Sequence, residues 1–157
     1  MRLIKITLYL LAILVLQTVV FARLNFFGAV PDLVLVSVII FAVLQERSAA
    51  ILFAAAAGFV QDILSFGVYI NVVSKVLAST LVTVIKESYR VDEYSLAAGL
   101  VAILTPSLLV AEGVIFYFVS GRQIDIQHLL ISVILATIYN LILVPVLLPV
   151  ARKILHD

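Results

Sequence analysis

No part of this sequence stays polar for long enough to fold in water. Six apolar stretches, at about 3–22, 29–45, 49–66, 68–85, 94–119 and 128–150, follow one another across connections of a few residues. Crossing a hydrocarbon core of about 30 Å takes roughly 17–25 helical residues at 1.5 Å each. Each stretch meets or approaches that length, and the run from 49 to 85 is too long for one crossing. The third and fourth stretches are therefore separate spans, joined by a tight hairpin at Ser65-Phe66-Gly67. The pattern predicts an all-α, polytopic membrane protein: one six-helix transmembrane domain over residues 1–157. Composition agrees. The chain is 65% hydrophobic and 12% charged, against about 45–50% and about 25% in soluble domains.

The basic residues set an expected orientation. With six crossings, Arg2, Lys5, Arg47, Lys86, Arg90, Arg152 and Lys153 fall on one side, and Arg23 and Arg122 on the other. The positive-inside bias then puts both termini in the cytoplasm. The N-terminus mimics a signal peptide, but its apolar run is long enough to span and further spans follow, so it reads as an uncleaved first helix. A net charge of +1 with scattered basic residues offers no nucleic-acid surface. The absence of cysteine excludes disulfides, thiolate metal sites and a cysteine nucleophile.

Four ionisable residues lie inside the apolar stretches: Asp32, Asp62, Lys75 and Glu112. A charge at bilayer depth costs at least about 2.5–3.5 kcal/mol on insertion scales, so such residues normally pair, line a cavity or meet a partner. On the third stretch Ala50, Ala54, Gly58 and Asp62 recur every four residues, a small-residue stripe that lets helices approach closely. On the fourth, Asn71, Lys75, Ser79 and Thr83 repeat the spacing as a polar stripe, which should face protein rather than lipid. Counted from the hairpin, Asp62 and Lys75 differ in depth by only about 5 Å. An Asp62–Lys75 ion pair is the expectation; the alternative has each reaching an interface alone. Asp32 follows Pro31 at the start of the second helix, where a fixed φ and a carboxylate suit a helix N-terminus. Glu112 is too deep to reach water easily. Its candidate partners are Asn140, Lys75, a backbone donor, or a group on another molecule. Gln17 and Asn140 read as cross-helix hydrogen bonders.

An enzyme would need a nucleophile with its base, or a metal set. The two histidines, His128 and His156, fall at opposite faces of the expected topology, and no metalloprotease, serine-hydrolase or P-loop motif occurs. Nor is Asp62 preceded by an intramembrane aspartyl-protease pattern. The chain reads as non-catalytic, with no cofactor.

Residues Gly28-Ala29-Val30-Pro31-Asp32-Leu33-Val34-Leu35 and Gly58-Phe59-Val60-Gln61-Asp62-Ile63-Leu64 resemble the rod-shape-determining protein MreD family. That family typically opens its second helix with Pro-Asp and carries Gly-x-x-x-Asp, followed by an aliphatic pair, near the end of its third. The motifs cover about residues 28–67, and the remainder matches by hydropathy. Gln61 departs from the apolar residue more usual before the aspartate. The resemblance implies a scaffold in the bacterial cytoplasmic membrane that binds MreC. Through MreC it would reach the glycosyltransferase RodA, a penicillin-binding transpeptidase and MreB filaments, serving cell shape and peptidoglycan synthesis. It also implies a fold similar to the six-helix substrate-binding subunits of energy-coupling-factor vitamin transporters.

Such a transporter subunit is the second reading, in which the four charges would line an outward cavity. Against it, the connection at 65–67 is minimal and the first helix lacks the Ala-x-x-x-Ala coupling pattern. In the scaffold reading a partner helix is gripped by exposed small-residue faces, for which Ala50/Ala54 and Ala98/Ala102 are the candidates.

Overall fold

The computed structural model describes residues 2–21, 23, 28–64, 70–89, 91–121 and 125–156. The Ser65-Phe66-Gly67 hairpin, Arg90 and Arg122 lie outside them. Six α-helices follow in order: α1 (Arg2–Val15), which continues as a π-helical segment (Leu16–Phe21), α2 (Leu33–Leu44), α3 (Arg47–Leu64), α4 (Ile70–Ser88), α5 (Glu93–Ser120) and α6 (Ile126–His156). No strand occurs among the described residues. Four helical stretches are long and apolar enough to cross a membrane: Leu3–Phe21, Arg47–Leu64, Glu93–Val119 and Ile126–Leu155.

Of the other two helices, α2 forms the interior and α4 turns only one face inward. A helix that is apolar all round belongs in a core, and every residue of α2 from Leu33 to Val43 is buried. It packs against all the other helices. The span expected at 29–45 is thus shorter as a helix, twelve residues or about 18 Å. Asp32 caps its start, and Gln45 closes its end with a backbone N–H to the Phe41 carbonyl. The preceding Gly28–Asp32 backbone is not helical. In a bilayer such backbone is tolerated only where protein satisfies its polar groups, and this requirement shapes the site described below.

On α4 the apolar character is diluted by Asn71, Ser74, Lys75, Ser79, Thr80 and Thr83. Of the polar stripe, Lys75, Ser79 and Thr83 are 1%, 0% and 2% exposed, so this face is turned into protein. Outward faces of the other helices carry Leu8, Leu52, Phe118, Ile134 and Val146, large apolar side chains suited to lipid. Towards the end bearing the termini, Phe41 and Phe53 stack at 4.1 Å. Tyr9 donates to the Ser37 hydroxyl there, tying α1 to α2. The prolines Pro106, Pro145 and Pro149 lie within continuous helices.

Candidate functional site

The turn before α2 is the hub. Asp32 caps α2 through Oδ1, which accepts from the Leu35 N–H at 2.8 Å. From the π-helical segment, Gln17 grips the same turn twice: Nε2 donates to the Pro31 carbonyl (3.0 Å) and Oε1 accepts from the Leu33 N–H (2.8 Å). From α6, Asn140 Oδ1 accepts from the Asp32 N–H (2.8 Å), while its Nδ2 donates to the Thr105 hydroxyl on α5. Ser132 donates to the Gly28 carbonyl. A wider π turn often marks a place where a side chain must be re-aimed. Here it carries the glutamine that satisfies two backbone groups of a non-helical segment, which accounts for Gln17 in an otherwise apolar span.

The remaining charges assemble around α4. Lys75 Nζ meets Asp32 Oδ2 at 3.0 Å and donates to Asn71 Oδ1 at 2.8 Å. Asp62 receives the Asn71 N–H (3.1 Å) and Nδ2 (2.9 Å) on Oδ1, and the Val72 N–H (2.9 Å) on Oδ2. The result is a continuous path, Asp62–Asn71–Lys75–Asp32, joining α3, α4 and α2.

The expected Asp62–Lys75 ion pair is not formed, and Gly58 explains why. A Cβ at Gly58 would lie 2.6 Å from Val72 Cα and 2.7 Å from the Asn71 carbonyl oxygen, so α3 and the first turn of α4 touch backbone to side-chain-free backbone. That contact lays the unpaired N–H groups of the α4 start over Asp62, one turn along α3. A helix N-terminus is a ready anion site, and it takes the carboxylate. Lys75, further along α4, faces α2 and is left to Asp32.

Glu112 is half-buried on α5, and its side-chain partner is Ser74 on α4. The candidate partner Asn140 is committed instead to Asp32 and Thr105. Glu112 and Ser74 line a cavity of about 280 Å³ between α4 and α5, otherwise walled by apolar residues including Val73, Leu77, Ala111 and Ile115. Among the described residues, no group of three His, Asp or Glu side chains is placed to hold a metal ion.

Of the small-residue positions, Ala50 and Ala54 are 1% and 0% exposed and Gly58 is buried. The expectation that Ala50/Ala54 offers an exposed partner face is corrected: both are already buried in the core of this chain. Ala98 and Ala102 are half-buried on α5. Thr105 and Ser74 were not singled out in the sequence. Thr105 had one signal, a hydroxyl next to a proline in mid-span, where freed backbone groups attract polar neighbours. Compared with known proteins, the chain matches no protein-family model, no curated protein and no solved structure.

Proposed function

We propose that this chain is a non-catalytic, six-crossing scaffold of the MreD type. It would sit in the bacterial cytoplasmic membrane with both termini cytoplasmic and bind MreC. RodA, a penicillin-binding transpeptidase and MreB would belong to the larger elongation complex. The observation that carries the reading is a convergence. The two segments that resemble the family, Pro31-Asp32 and Gly58-x-x-x-Asp62, lie on different helices and are joined through α4: Asp62 bonds Asn71, Asn71 bonds Lys75, and Lys75 bonds Asp32. Motifs that meet physically behave as one architectural signature rather than two chance matches. Three of the four charges, Asp32, Asp62 and Lys75, are bonded into one path through Asn71 instead of lining an open chamber, which favours a scaffold over a vitamin-binding subunit of fold similar to energy-coupling-factor proteins.

The test is purification of the tagged chain from its native membrane in mild detergent, with partners identified by mass spectrometry. Recovery of MreC with RodA and a transpeptidase is the expected result. Recovery of a membrane coupling subunit with ATPases would overturn it.

A further inference from the structure

The α4–α5 cavity does not end at Glu112. A second hollow of about 410 Å³, lined by Val72, Val76 and Thr80, shares Val73 and Leu77 with it. The two form one furrow along α4 from Ile70 to Thr80, about 15 Å at helical rise. Its walls face outward: Val73 is 64% and Leu77 49% exposed. The furrow exists because α4 leans on α3 and α5 leans on α6, while α4 and α5 touch each other sparingly.

Charge is unbalanced beside this furrow. Asp32, Asp62 and Glu112 face a single ammonium, Lys75. Asp62 is satisfied by three donors, and Asp32 by Lys75 and the Leu35 N–H. Glu112 has the Ser74 hydroxyl, which it shares with the Asn71 carbonyl at 3.2 Å. Its carboxyl group therefore looks into an apolar furrow with one shared neutral donor and, among the described residues, no ion pair, a costly state at membrane depth.

We infer that the furrow seats a transmembrane helix of another protein, one that carries a lysine or arginine opposite Glu112. An acyl chain could fill the volume but offers no donor. A second copy could not supply the cation at this depth: of the two lysines within the expected spans, Lys5 lies at the opposite end from Glu112 and Lys75 is buried. The inference rests on the scaffold reading only for the existence of a partner helix, and names its seat and its chemistry.

A designed peptide tests the seat directly. A Leu/Ala helix of about 20 residues would carry one lysine about 13.5 Å from the end nearest Gly121, which lies nine residues beyond Glu112. Its association with the labelled full chain in phosphatidylcholine vesicles is read by energy transfer, beside a peptide with leucine in place of the lysine. An interhelical polar contact in lipid is worth about 1–2 kcal/mol, so the lysine peptide should bind about tenfold more tightly. Glu112→Gln should abolish that preference. Val73→Trp, on an exposed position that leaves the core untouched, should weaken both peptides by filling the furrow. Equal binding of the two peptides to the unchanged protein overturns the inference. So does a lysine preference that survives Glu112→Gln, or binding indifferent to Val73→Trp. Failure to recover MreC would instead strike the scaffold reading and leave this result standing.

Discussion

Among the described residues there are two ion pairs, and they occupy opposite kinds of place. Lys75–Asp32 lies inside the bundle, with the lysine side chain 1% exposed and the aspartate 21%. Arg152–Glu93 joins the end of α6 to the start of α5 with 52% and 44% exposed side chains. The same two charge types bond in both, yet their consequences differ. The inner pair exists because a helix start and a polar stripe were brought to one depth with no water to serve them. The outer pair can be replaced by water at little cost. Buried ionic groups are expensive to leave half-made, whereas exposed ones are nearly free to lose.

The largest effect should come from breaking the inner pair on one side only. Lys75→Met leaves Asp32 charged and without its ammonium, and removes a donor to Asn71. A loss of about 3–5 kcal/mol in unfolding free energy is expected for the detergent-purified protein. Asp32→Asn in the same chain should recover much of it, because an amide asks for no counter-charge. A Lys75→Met protein as stable as the parent would remove the distinction between the two pairs.

Next comes the contact that decides which carboxylate the lysine meets. Gly58→Ala pushes a methyl group into backbone atoms at 2.6–2.9 Å, which cannot rotate away. Overpacking of this kind costs about 1–3 kcal/mol. Parting α3 from α4 should also lengthen the bonds from Asp62 to the Asn71 and Val72 N–H groups, visible as faster amide exchange at those two positions. Unchanged exchange and unchanged stability would mean that Asp62 is not positioned by this contact.

These two positions also mark what the sequence could and could not reveal. Hydropathy located the six helices among the described residues but not all their ends: α6 runs past its apolar stretch through Arg152 and Lys153 to His156. Four-residue spacing identified the buried stripes of α3 and α4. It could not choose among partners. Asp62 and Lys75 match in depth, yet depth says nothing about which way each points around its helix. Nor does a linear pattern count the donors freed at a helix start. Pro31-Asp32 announced a helix cap. Nothing in its neighbourhood announced that Gln17 and Asn140, respectively 14 and 108 residues from their bonded groups, would satisfy the backbone there. The small-residue stripe had the opposite problem: the spacing that suits a visiting helix equally suits a neighbouring helix of the same chain, as α4 against Gly58 shows.

The exposed pair gives a smaller effect. Arg152→Ala should change stability by no more than about 1 kcal/mol, and even that difference should shrink as salt is raised, since screening acts on charges that water reaches. A large, salt-insensitive loss would place this pair with the buried one and erase the contrast.

Smallest of all is the contribution of Asp92, one residue before Glu93 and fully outside the bundle. It caps α5, and its bonds from Ser95, hydroxyl and N–H, hold its carboxyl below the usual aspartate range. A depressed folded value means the cap is fully effective above the unfolded value of 3.8. It fades as pH falls through the folded one, since protonation removes the acceptor that Ser95 uses. Stability should therefore decline slightly on acidification from about pH 5, and Asp92→Ala should flatten that part of the profile while lowering the plateau above it. An acid-induced loss that persists unchanged in Asp92→Ala would show that another carboxylate is responsible, and the exposed pair is the first to separate from it: Glu93 bonds Arg152 at the same end of α5, so a loss that disappears in Arg152→Ala belongs to that pair and not to the cap.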